Sequence, residues 1–343
     1  MTTSSATPFA PPAWLPSRAP WGGHAQTLWS AVFTRHGTPA PQFRRERWTT
    51  PDGDFVDADW HEPLGADGTP LAPDAVDSTT PLLVLFHGLE GSSASHYAQA
   101  FAQASRERGW RFVMPHFRGC SGSINLAPRA YHCGDFEEVG WMLARCRAAH
   151  AGPVHAAGVS LGGNALLRWA QEAGGLAARA VRSVCAVSAP LDLLASGRAM
   201  GVGFNRWVYT QVFLRSLKPK ALSVLRQHPG LFSLDTLNAV RDLQDFDNLF
   251  TAPLHGFVDA EDYWRRAAAK PHLRRLQLPT LLLNARNDPF MPEACLPNPD
   301  DVRPEVSLWQ PVHGGHAGFV TGAWPGTLKH LPEAVLDWMH THG

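Results

Sequence analysis

Between Val154 and Ala173 the chain changes its period within a few residues, and the change falls on a serine. His155-Ala156-Ala157-Gly158-Val159 reads as a buried strand and Gly162-Gly163-Asn164-Ala165-Leu166-Leu167 opens a helical pattern, with Ser160 at the junction. A strand that turns this abruptly into a helix holds the junction residue in a strained backbone and presents its side chain at the sheet edge. Gly158 and Gly162 flank it because bulk at either position would strike the adjoining strand or helix. A chain with this junction has to build a sheet in which one strand ends on an exposed hydroxyl.

The rest of the sequence has the alternation that such a sheet needs. Leu82-Leu83-Val84-Leu85-Phe86 is a short apolar run, as expected of a strand covered on both faces. Similar runs occupy 111–117, Val154–Val159, 181–187, Thr280–Leu283 and Val306–Trp309, with helical patterns at 97–108, 136–149, 164–173 and 328–340. This predicts an α/β fold with a mostly parallel central sheet, helices on both faces and right-handed crossovers. Residues 47–50 and 55–60 flank the turn Pro51-Asp52-Gly53, so a hairpin should supply an antiparallel edge.

Two stretches do not alternate. From about Leu191 to Leu276 the sequence is helical and broken, with Trp207, Phe213, Phe250 and Tyr263 in it, and it predicts an inserted helical lid. Residues 1–45 are rich in Pro and Trp and are expected to form an irregular segment packed on the core, leaving 46–343 as a single domain.

Composition narrows the function classes. Thirty basic and thirty acidic residues give zero formal net charge, so no bulk field favours nucleic acid or an anionic membrane. A neutral small molecule is the better partner. Five scattered cysteines lack the spacing of a disulfide framework or a zinc site. Residues 1–12 show no secretory signal, and no apolar run approaches the roughly 20 residues of a membrane span. A cytoplasmic enzyme is expected. The seventeen histidines show no metal spacing, and His132, Cys133 and Asp135 are too compact to form a site.

A serine hydroxyl is protonated at neutral pH, so a nucleophilic Ser160 needs a histidine to accept its proton and a carboxylate to orient that histidine. Where the serine lies on a strand-to-helix elbow, the acid and then the histidine follow it in the chain. Asp288 falls just past the strand Thr280–Leu283, and His316 lies in the loop after the last strand, with His313 as competitor. The glycine pair before His316 suits a loop that passes close to the serine. Backbone N–H groups must also face the developing oxyanion, each worth roughly 3 kcal/mol. Leu161 supplies one and Leu89, in the turn Phe86-His87-Gly88-Leu89-Glu90-Gly91, the other. His87 reads as structural, and Glu90 as a cap or pairing partner. Nothing in this chemistry calls for a cofactor.

Further motifs recur along nearly the whole chain. They are His24-Ala25-Gln26-Thr27-Leu28, His87-Gly88-Leu89-Glu90-Gly91-Ser92, Phe117-Arg118-Gly119-Cys120-Ser121-Gly122 and Tyr131-His132-Cys133-Gly134-Asp135, then Leu254-His255-Gly256-Phe257, Asn287-Asp288-Pro289-Phe290 and Gly314-Gly315-His316. On these residues, together with the Ser160 elbow, the sequence resembles the YheT-like α/β hydrolases, bacterial relatives of the eukaryotic ABHD one-to-three group. The resemblance implies an α/β-hydrolase fold, a Ser160–Asp288–His316 triad and hydrolysis of carboxylic esters with short- to medium-chain acyl groups. A lipase or thioesterase using the same triad is the alternative, and a non-catalytic scaffold that binds a ligand or protein is the distant one. Eukaryotic members include lipid hydrolases with an N-terminal membrane anchor, and this chain departs from them there.

Overall fold

The computed structural model describes residues 9–16, 21–34 and 40–343. Eight strands form one sheet in the order β1-β2-β4-β3-β5-β6-β7-β8. They are β1 (Arg44–Thr49), β2 (Phe55–His61), β3 (Leu82–Phe86), β4 (Arg111–Pro115), β5 (Val154–Val159), β6 (Ser183–Val187), β7 (Thr280–Leu283) and β8 (Val306–Trp309). From β4 to β8 every pairing is parallel, while β1 and β2 form the expected antiparallel edge beside β4.

The apolar runs lack polar alternation because both faces of each central strand are buried. In β3, Leu82, Val84 and Phe86 point to one core, shared with α3 (Phe136–Ala148) and α4 (Leu161–Ala173). Leu83 and Leu85 point to the other, shared with α2 (His96–Glu107) and the C-terminal helix His330–His342. Side chains that alternate across a strand thus stitch two helical layers to one sheet.

The strand order reverses between β3 and β5, which are adjacent while their crossovers run to opposite sides. Crevices at such a switch point, beyond the carboxyl ends of the strands, are where open α/β sheets bind ligands. Ser160 follows β5 and Leu89 follows β3, so the fold sets both at this crevice.

Between β6 and β7 the regular elements of the insertion are all helices, including Leu193–Met200, Gln211–Gln227 and Ala260–Ala267. It has apolar clusters of its own, one around Leu214, Leu237, Phe246 and Phe250 and another around Tyr263 and Trp264.

The N-terminal segment differs from expectation. Gly22–Val32 is a helix, α1, where an irregular chain was predicted; residues 1–8, 17–20 and 35–39 of the segment lie outside the described residues. Its buried face is Gly22, Gly23, Gln26, Thr27 and Ser30, which are small or polar. No apolar stripe marks it, so a search for helical hydrophobic period passes over it.

Candidate active site

Ser160 adopts φ 53° and ψ −123°, a backbone region that side chains rarely occupy, and its N–H donates to the Val187 carbonyl at 2.8 Å. The two glycines are required by contact. A Cβ on Gly158 would lie 2.4 Å from the Gly162 carbonyl oxygen, and one on Gly162 would lie 2.5 Å from the carbonyl oxygens of Phe86 and His87. The elbow is therefore wedged between β3 and the start of α4.

Two later loops complete the arrangement. Asp288, buried just after β7, accepts the Phe290 N–H on Oδ1 at 2.8 Å and faces His316 Nδ1 with Oδ2 at 2.9 Å. His316 Nε2 lies 2.9 Å from Ser160 Oγ. The ring of Phe290 packs against the imidazole with centroids 4.1 Å apart. Ser160, His316 and Asp288, three strand ends apart in sequence, thus form one hydrogen-bonded chain, and it is His316 rather than His313 that reaches the serine. A hydroxyl, an imidazole and a buried carboxylate in this order can pass a proton from oxygen to nitrogen as the oxygen attacks.

The loop that carries His316 is held from outside itself. Four successive backbone N–H groups each meet a side-chain oxygen: Gly314 that of Gln26 (2.6 Å), Gly315 that of Asn287 (3.0 Å), His316 that of Thr27 (2.8 Å) and Ala317 that of Ser188 (2.9 Å). Sequence reasoning missed all four acceptors, although Gln26, Thr27 and Asn287 sit within motifs that it quoted.

The turn after β3 lies directly beside the serine, where a Cβ on Gly88 would be 3.1 Å from Ser160 Cβ. Gly88 N–H donates to Tyr97 Oη and Glu90 N–H to Tyr131 Oη, both at 2.9 Å. Leu89 N–H between them makes no hydrogen bond among the described residues. Leu161 opens α4, and the first N–H groups of a helix have no intrahelical acceptor and carry its positive dipole end. His87 is fully buried; Nε2 accepts the Phe117 N–H at 3.0 Å and Nδ1 faces the Gly88 carbonyl at 2.7 Å. Burial holds its pKa down to about 3, so it is a neutral brace between strand ends.

A cavity opens over Ser160 and His316, roofed by the insertion residues Phe213, Leu217, Phe246 and Phe250. Glu90 forms part of its wall and takes hydrogen bonds from Tyr131 Oη and Lys220 Nζ, both at 2.8 Å. Burial pushes the nearby Cys120 thiol up to about 11, which leaves it protonated and a poor nucleophile. Among the described residues no cluster of His, Cys, Asp and Glu could hold a metal ion.

The family description "alpha/beta hydrolase fold" matches residues 81–323. The chain belongs to the alpha/beta hydrolase family. This hydrolase is 38% identical over 348 residues to the Escherichia coli (strain K12) protein named "Putative esterase YheT", covering 100% of this chain and 97% of the relative. It is 28% identical over 325 residues to human "Phospholipase ABHD3", covering 93% of this chain and 76% of that one. The solved structure of Est1E from Butyrivibrio proteoclasticus superposes with a TM-score of 0.53 at 15% identity, over 88% of this chain and 98% of Est1E. The Pyrococcus furiosus esterase Pf2001 does so at 0.54 and 13%, over 91% and 98%. Those two likenesses are of fold. No helix among the described residues is long and apolar enough to cross a membrane.

Proposed function

We propose that this hydrolase cleaves carboxylic esters with short- to medium-chain acyl groups through an acyl-enzyme on Ser160. The observation that carries the reading is the chain from Ser160 Oγ to His316 Nε2 and from His316 Nδ1 to Asp288, each link 2.9 Å. Ser160 Oγ attacks the ester carbonyl while His316 takes its proton, and Asp288 supports the imidazolium. The N–H groups of Leu89 and Leu161 receive the oxyanion. His316 then protonates the departing alcohol; in the second half it takes a proton from water as that water attacks the acyl carbon, and returns it to Ser160 Oγ as the acyl–Oγ bond breaks and the acid leaves. No cofactor enters.

The apolar roof supports an acyl chain as the group bound, and the insertion at about 191–276 is read as a lid over it. A lipase using the same triad is the second reading. It is favoured by Val202 and Trp207 of the insertion, 64% and 77% exposed, which suit contact with a lipid surface. The five cysteines are free, in keeping with a reducing cytoplasm.

Two measurements test this reading. A fluorophosphonate probe should label Ser160, and hydrolysis of p-nitrophenyl esters graded from acetyl to palmitoyl should peak at short or medium length. Steady rise to the longest chains with activation by emulsions would favour the lipase. Absence of labelling and turnover would leave a binding scaffold.

A further inference from the structure

We infer that α1 belongs to the catalytic apparatus, with Gln26 and Thr27 as positioning residues that fix the backbone of the His316 loop; the inference rests on the esterase reading above. Two of the four side-chain oxygens that hold this loop come from α1, and they reach across 288 and 289 residues of sequence. Thr27 Oγ1 accepts the His316 N–H itself and donates to the Gly23 carbonyl at 2.7 Å, so the hydroxyl is fixed before it meets the loop. Gln26 Oε1 accepts from Gly314 N–H and from Asn287 Nδ2, at 2.6 and 3.4 Å. Asn287 precedes Asp288. One amide oxygen therefore joins the loop of the histidine to the loop of the acid.

The fit is too close for alternatives. A Cβ on Gly23 would fall 1.9 Å from the Asn287 carbonyl oxygen, and one on Gly315 would lie 2.8 Å from Thr27 Oγ1. The loop needs this bracing because its own geometry is unfavourable. Gly315, Ala317 and Phe319 have φ of 62°, 53° and 41°, a conformation that non-glycine residues hold only where surroundings impose it. Gln26 is buried, yet its Nε2 finds no partner among the described residues. A helix selected only to pack there would bury an apolar side chain at that position. The retained amide has one oxygen in use, and that oxygen is aimed at the loops of His316 and Asp288.

The test compares Thr27→Val, Thr27→Ser and Gln26→Met in the full chain. Fluorophosphonate titration of Ser160 counts active sites, so kcat for p-nitrophenyl butyrate is expressed per competent serine. Misplacing a catalytic group by a fraction of an ångström to one ångström costs up to about 100-fold. Thr27→Val and Gln26→Met should each lower kcat by roughly 10- to 100-fold with KM within about twofold. Labelling should slow in parallel. Thr27→Ser keeps the oxygen and should restore both kcat and labelling rate. Wild-type kcat and labelling rate in both Thr27→Val and Gln26→Met, with only Tm lowered, would overturn the inference. Failure of the unaltered protein to label at Ser160 would instead overturn the esterase reading beneath it.

Discussion

Glu90 Oε1 lies 2.8 Å from Lys220 Nζ, which ties the turn after β3 to the insertion helix Gln211–Gln227. Glu90 has a φ of 57° and directly follows Leu89, so this ion pair fixes the turn that lies beside the serine. The carboxylate side chain is 8% exposed and the lysine side chain 29%. Lys220→Met leaves a buried carboxylate with only its Tyr131 hydrogen bond, and a loss of about 1–3 kcal/mol is expected in urea denaturation. Glu90→Gln in the same chain should recover part of it. Additive losses in the double variant would show that the two residues do not act as a pair.

The strained Ser160 backbone makes an opposite prediction for activity and stability. Its φ of 53° and ψ of −123° favour glycine. Ser160→Ala should lower ester turnover by about 10⁶-fold with little change in Tm. Ser160→Gly should be equally inactive but as stable as the unaltered protein or more so, by up to about 1 kcal/mol. A glycine variant much less stable than the alanine one would contradict this account of the elbow.

Much of this arrangement is legible from sequence because strand ends are. β3, β5 and β7 are apolar runs that stop abruptly, and the residues just past them are Leu89, Ser160 and Asp288. What brings these together is the parallel sheet alone. The residues that brace the loops were not legible for a definite reason. Gln26, Thr27 and Ser188 act through single side-chain oxygens on backbone N–H groups far along the chain, and such contacts impose no hydrophobic period. The interior of the insertion was hidden differently: Pro219 lies inside a helix, and Arg206–Thr210 and Asp247–Thr251 form wide helical turns that disturb the 3.6-residue spacing.

The elbow glycines give a prediction independent of chemistry. In Gly162→Ala the new Cβ meets two carbonyl oxygens of the β3 end at 2.5 Å, and backbone cannot move aside as a side chain can. A loss of about 3 kcal/mol or failure to fold is expected. Gly53→Ala offers the contrast. Its Cβ would meet nothing within 4 Å, so only the cost of its φ of 81° remains, about 1 kcal/mol. Chemical denaturation of both should separate crowding from backbone strain.

Asp247 predicts how the insertion responds to pH. It lines the cavity beneath its roof, half-buried, with Oδ1 accepting from Thr251 Oγ1 at 2.7 Å and Oδ2 from Trp264 Nε1 at 2.9 Å. Desolvation pushes its carboxyl from 3.8 up to about 6, and the same cause holds the nearby Cys133 and Tyr263 protonated. Between those two pH values the folded chain binds the proton more tightly than the unfolded chain does. Stability from this group is therefore fully present below pH 3.8 and falls as pH rises toward 6. Asp247→Asn keeps an acceptor for Trp264 and removes the charge. Its stability relative to the unaltered protein should climb across the same window and then level off, by on the order of 2–3 kcal/mol. Urea midpoints measured at pH steps through that window would show it, and a difference independent of pH would mean that the carboxyl ionises in the folded insertion as readily as in water.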